Sequence, residues 1–217
     1  LQIYALSNMT SLNLSINYLR CLPTPLCHSL RYLSTLDLTS NELESLPNEI
    51  SLLSNLAMLH LAHNSLTFLP ASLNRLHFLT LLDVEYNRLT TLPSFAELPK
   101  LNQLRFKGNL IDQITFPLGQ AQGSLADHHF SAMPQFAHLD LASNKLTQAP
   151  AYSLNRSLFE RTKEIHLEGN QISSIAKFLR DNNVQKVIIF IYYSLYYLFI
   201  FVIFSENKEK GYGPIGG

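Results

Sequence analysis

Asp37, His60 and Asp83 recur at near-equal intervals, and two carboxylates about an imidazole are the residue types of general acid and base work. No activated nucleophile and no oxyanion loop accompanies them, so catalysis is not expected. His128 and His129 beside Asp127 suggest a metal, yet adjacent histidines rarely converge on one ion, and no metal is expected. The two cysteines, Cys21 and Cys27, lie too close together for a zinc-ligand pattern or a disulfide framework, which favours a reducing compartment. Neither a phosphate-cradling glycine loop nor a dinucleotide fingerprint occurs, so no cofactor is expected. Glycosylation sequons at Asn8, Asn13 and Asn155 are no more frequent than this Asn- and Ser-rich composition produces by chance.

The elements that must position such residues come from a repeat. Met9, Leu12, Leu14, Asn17 and Leu19 return as Leu33, Leu36, Leu38, Asn41 and Leu43, then as Leu56, Leu59, Leu61, Asn64 and Leu66. Four further copies follow: Leu79, Leu82, Val84, Asn87, Leu89; Leu101, Leu104, Phe106, Asn109, Ile111; Phe136, Leu139, Leu141, Asn144, Leu146; and Thr162, Ile165, Leu167, Asn170, Ile172. The asparagine steps are 24, 23, 23, 22, 35 and 26 residues. Charge adds little guidance, because 16 Lys plus Arg balance 16 Asp plus Glu across 217 residues, and no net field draws the chain to nucleic acid. The chain opens at Leu1 without a charged-then-apolar leader and reads as a fragment or a processed form.

The recurring L-x-x-L-x-L-x-x-N-x-L resembles the leucine-rich repeat family over about positions 6 to 176. That resemblance implies an α/β solenoid, with a curved parallel sheet on the concave face and helical or irregular returns on the convex face. Each L-x-x-L-x-L then reads as a short strand with its leucines inward, stacked about 4.8 Å from the next. Asn17, Asn41, Asn64, Asn87, Asn109, Asn144 and Asn170 turn the chain after each strand, and their amides are expected to bond backbone groups that the turn leaves unpaired. Leu22-Pro23, Leu46-Pro47, Leu69-Pro70 and Leu92-Pro93 follow four of the strands, where proline suits the start of a return. This L-x-x-L-P phrase is similar to the intracellular subclass found in Ras-pathway scaffolds and scribble-type polarity proteins, and the plant receptor-kinase phrase L-x-G-x-I-P is absent.

Side chains alternate along a strand, so the residue between the second and third apolar positions faces the concave side. Asn13, Asp37, His60, Asp83, Arg105, Asp140 and His166 occupy that slot. Ser15, Thr39, Ala62, Glu85, Lys107, Ala142 and Glu168 follow nearer the turn. The expected partner-binding residues are Asp37, His60, Asp83, Glu85, Tyr86, Arg105, Lys107, Asp140, His166 and Glu168, a polar face of mixed sign suited to charge-assisted contacts with a protein. Tyr86 adds a rigid aromatic.

The reading divides the chain into an array of seven copies over 1–176, a cap or linker over 177–186, a hydrophobic segment over 187–204 and a polar, disordered tail over 205–217. An insertion at about 115–135 is expected to project as a loop, with Phe116, Phe130 and Met133 as anchors or as mere slack. Val187 to Phe204 carries no charge, and three readings stay open for it. It is long enough for a membrane span, though Tyr192, Tyr193, Tyr196 and Tyr197 sit at its middle, where lone spans seldom place tyrosine. It could instead cap the last coil. The third reading is sequence that is not native coding, since residues with A/T-rich codons dominate from Val187 onward. The expectation is a protein-protein interaction module, a cytoplasmic signalling or scaffold component with no nucleic-acid partner. The alternative is a membrane-anchored, receptor-type repeat protein using 187–204 as its span.

Overall fold

A computed structural model of the chain describes residues 7–92, 95, 98–112, 137–147, 164–172 and 188–190. Eight short strands lie in these residues: β1 (Ser11–Asn13), β2 (Thr35–Asp37), β3 (Met58–His60), β4 (Leu81–Asp83), β5 (Gln103–Arg105), β6 (His138–Asp140), β7 (Glu164–His166) and β8 (Ile188–Phe190). They form one parallel sheet in chain order, which is the geometry of a solenoid, each coil adding a strand beside the last. Pairing is centred on the second leucine of each copy: Leu12 opposes Leu36, Leu36 opposes Leu59, Leu59 opposes Leu82, and Leu82 opposes Leu104. The register survives the long step between the fifth and sixth copies, where Leu104 opposes Leu139.

Each regular strand is three residues long, shorter than the L-x-x-L-x-L phrase suggested, but the backbone ladder runs on. In the first coil Leu14 N–H bonds the Asp37 carbonyl at 2.8 Å and Ile16 N–H bonds that of Thr39 at 2.8 Å. The ladder ends at a residue with positive φ immediately before each asparagine: Ile16, Ser40, His63, Tyr86, Gly108, Ser143 and Gly169. A left-handed residue reverses the chain there, and the asparagine amide holds the reversal.

Leu36, Leu38, Leu59, Leu61, Leu82 and Val84 are fully buried, so the two inward positions of every middle strand fill the coil. Returns close the core from the far side. Pro23, Pro47 and Pro70 take extended backbone just ahead of an α-helix, α1 (Thr24–Ser29), and of 3-10 turns at Asn48–Leu52 and Ala71–Arg75. Leu26 and Cys27, Ile50, and Leu73 point inward from these three returns. Phe95 and Phe106 replace leucine in the fifth coil and pack at 6.0 Å with rings tilted by 54°.

The eighth strand was not among the seven copies read from the sequence. β8 pairs in parallel with β7, Ile165 opposing Ile189, and it falls within the hydrophobic segment 187–204. The remainder of that segment, the insertion with Phe116, Phe130 and Met133, and the 128–129 histidine pair lie outside the described residues. Among the described residues, no helix is long and apolar enough to cross a membrane.

Candidate interaction surface

The asparagines are stitched between coils. Asn64 Nδ2 donates to the carbonyls of Leu61 in its own coil, at 3.0 Å, and of Leu38 in the preceding one, at 2.9 Å. Its Oδ1 accepts the Leu43 N–H at 2.9 Å. Asn41, Asn87, Asn109 and Asn144 repeat the pattern and are buried with it. Asn170 continues the ladder, bonding Leu141 and Leu167 carbonyls and the Leu146 N–H. The Asn17 side chain, with no described coil before it, bonds the Leu14 and Ser15 carbonyls of its own coil and is exposed. These side chains hold the scaffold on which the concave residues stand.

The first concave column is in register from strand to strand: Asn13, Asp37, His60, Asp83, Arg105, Asp140 and His166. Its acidic members serve two purposes. Asp37, Asp83 and Asp140 each accept, through Oδ1, the N–H of the residue two positions on, at 2.9, 3.1 and 2.9 Å. Asn13 makes the same bond to Ser15 at 2.8 Å, so the slot asks for a short side chain bearing an acceptor at the strand end. Asp83 is buried, at 8% exposure, and its other oxygen lies 3.6 Å from an Arg105 guanidinium nitrogen. Asp37, His60 and Asp83 do stand side by side, but two of the three have an oxygen engaged with backbone.

The second column brings Glu85, Lys107 and Glu168 to the same face. Burial holds the Glu85 carboxyl above its ordinary pKa, and Asp83 and Asp140 push the same way against Arg105 and Lys107. Lys107 is raised above its usual value by Tyr86 first, then by Asp140, Glu168 and Glu85. His166 Nδ1 lies 3.6 Å from a Glu168 oxygen.

Tyr86 is positioned by packing. Its ring stacks on His63 at 4.6 Å and 11°, and on the other side it leans over Gly108, where an added Cβ would sit 2.6 Å from the ring. It stays 42% exposed as a rigid ledge at the rim. Reasoning from sequence missed His63, whose partnership with Tyr86 crosses coils. It also missed the position before the second leucine, where Thr35, Met58, Leu81, Gln103 and His138 share the concave face with the residues two places on. Period-two alternation carried that signal, since i and i+2 point the same way. On the flank of the first coils an open groove of about 820 Å³ surrounds the Arg20–Glu42 ion pair and the exposed Phe68, away from all ten candidates. Among the described residues, no group of three His, Cys, Asp or Glu side chains could hold a metal ion.

Comparisons with known proteins agree with this geometry. A leucine rich repeat family model matches residues 7–66 and 54–111. No curated protein matches the chain. Among solved structures, a leucine-rich-repeat protein of Leptospira interrogans is 30% identical with a TM-score of 0.72, over 89% of this chain and 46% of its own. The ectodomain of a plant membrane receptor kinase from Arabidopsis thaliana, solved in complex with Casparian strip integrity factor 2, is 26% identical with a TM-score of 0.65, over 86% and 22%. An internalin of Listeria monocytogenes, 20% identical with a TM-score of 0.66 over 89% and 51%, shares the fold. The chain thus spans about half the length of the bacterial structures and less than a quarter of the plant ectodomain. Repeats of this kind generally mediate protein-protein interaction, and residues 7–111 match the leucine rich repeat model, with the same strand register continuing through β7.

Proposed function

We propose that the chain is a protein-binding module that engages its partner across the concave sheet, as a signalling or scaffold component of the cell interior. The observation that carries this reading is the in-register concave face, where consecutive strands present ionisable side chains and no other described element packs over them. Such a face gives orientation and specificity through charge-assisted contacts while the leucines behind it carry stability. The interior location is supported by the L-x-x-L-P phrase and by the two free thiols, Cys21 exposed and Cys27 buried.

Site-directed photocrosslinking tests the surface. A photoreactive residue at Gln103, on the concave face, should yield partner adducts, and one at the exposed Tyr32, on the return side, should not. Adducts from Tyr32 alone would overturn the concave assignment. Removal of residues 119–130 then separates the insertion from the sheet: binding that survives the deletion is carried by the sheet alone.

A second reading, a membrane-anchored receptor-type protein, is favoured by the uncharged run from Val187 to Phe204 and by the likeness to a receptor ectodomain. If it holds, the full chain partitions into detergent extracts and a chain ending near Asn183 stays in the aqueous fraction. Aqueous partition of both would exclude it.

A further inference from the structure

Resting on the concave-face reading, we infer that the surface over β4 to β7 takes a cationic segment of polypeptide, an arginine- or lysine-bearing stretch that crosses the strands. Four carboxylates, Asp83, Glu85, Asp140 and Glu168, share that surface with two cations, Arg105 and Lys107. The placement matters more than the count. Both cations belong to the middle coil, and both are bracketed by carboxylates from the coils on either side. Arg105 is opposed in register by Asp83 and Asp140, and Lys107 lies within the influence of Glu85, Asp140 and Glu168.

An incoming anion would therefore compete with carboxylates already placed around each cation, and would add a like charge to those it displaced. A cation meets the opposite situation. Burial first, and then Asp83 and Asp140, raise the Glu85 pKa against Arg105 and Lys107, and the four carboxylates outnumber the two cations on this face. Glu168 has one oxygen near His166, while Oε2 is buried and accepts no hydrogen bond among the described residues. A partner ammonium or guanidinium between β5 and β7 neutralises the surplus of carboxylates on that face. Three inter-strand steps of about 4.8 Å span roughly 14 Å. Four or five extended residues at about 3.3 Å each reach across.

The test uses the full chain and three labelled peptides of about ten residues: alternating Arg-Ser, alternating Glu-Ser, and alternating Gly-Ser. Binding is followed by fluorescence anisotropy at low salt and one fixed pH. One variant, Glu85→Gln with Asp140→Asn and Glu168→Gln, removes carboxylates but keeps the strand-end bond, since Asn13 makes that bond in the same slot. The other, Arg105→Gln with Lys107→Gln, removes the cations. Circular dichroism checks that both are folded.

The expected result is that the Arg-Ser peptide binds the parent chain and the other two do not. Affinity should fall at least about tenfold in the carboxylate variant, hold or rise in the cation variant, and weaken with salt. Glu-Ser binding that the cation variant abolishes would overturn the charge assignment and leave the concave face standing. Arg-Ser binding indifferent to both variants, or no Arg-Ser binding at all, would overturn the inference. The crosslinking comparison of Gln103 with Tyr32 judges the concave face separately.

Discussion

Replacing Asn87 by Ala is the sharpest test of how the coils are held together. The side chain is 6% exposed and makes four contacts with backbone: Nδ2 to the carbonyls of Leu61, Val84 and Glu85 at 2.9, 3.1 and 3.2 Å, and Oδ1 from the Leu66 N–H at 2.9 Å. The four losses are unequal. Leu61 still receives Asn64, Val84 still receives Asn109, and Glu85 still receives the His63 N–H. Leu66 N–H has no second acceptor in the pattern, so Ala leaves one buried donor unpaired. That donor costs about 1 to 3 kcal/mol, and the weakened carbonyl contacts bring the expected loss to roughly 2 to 4 kcal/mol. Asn17→Ala is the internal control, because Asn17 is exposed and Leu14 keeps its bond from Asn41 Nδ2, so its cost should stay below about 1 kcal/mol. Urea denaturation followed by circular dichroism reads both, and the slope must be compared with the midpoint, since a solenoid can unravel from one end and depart from two-state behaviour. Equal midpoints for the two variants would refute the reasoning, because the ladder would then carry no more than a surface turn does.

Thiol titration should separate the cysteines: Cys21 is exposed, whereas Cys27 is fully buried and pushed up to about 11 by burial and by Glu49. One equivalent should react in the folded chain at mildly alkaline pH and two after denaturation, and a second rapid equivalent in the folded chain would contradict the packing of α1. Gly108→Ala should destabilise the chain through the close approach to Tyr86, and the same change in a Tyr86→Ala background should cost only the left-handed backbone, about 1 to 2 kcal/mol, as a thermal-melt double-mutant cycle would show. Glu85 has a folded pKa above its ordinary value of 4.5, so the folded chain binds the proton more tightly and stability is lost as pH rises from the unfolded pKa through the folded one. Glu85→Gln should therefore raise the melting temperature near neutral pH, with the gain vanishing below that ordinary value, and an equal gain at both ends would rule out ionisation as the cause.

The repeat, the core and the asparagine ladder were legible because every coil faces the same physical demand and answers it with the same residue. Leucine must fill the interior at Leu36, Leu59 and Leu82, and a side-chain amide must pair the turn at Asn41, Asn64 and Asn87, so period alone identifies them. Alternation likewise placed Arg105, Lys107 and Glu85 on one face. What each of these residues does there was decided only by stacking, because the partner of each lies in another coil. Asp83 and Asp140 stand on either side of Arg105, and Asp140 is 35 residues from it across an insertion of unpredictable path. Tyr86 meets His63 and Gly108, each more than twenty positions away, and no local pattern records that the glycine clears space for the ring. The eighth strand was hidden for a related reason: Ile188–Phe190 lies in an apolar run whose composition suits a span, a cap or a core strand alike, and only pairing with β7 distinguishes a strand. A sequence with one strong period states what every coil shares, while contacts that differ from coil to coil depend on which residues the stack sets about 4.8 Å apart.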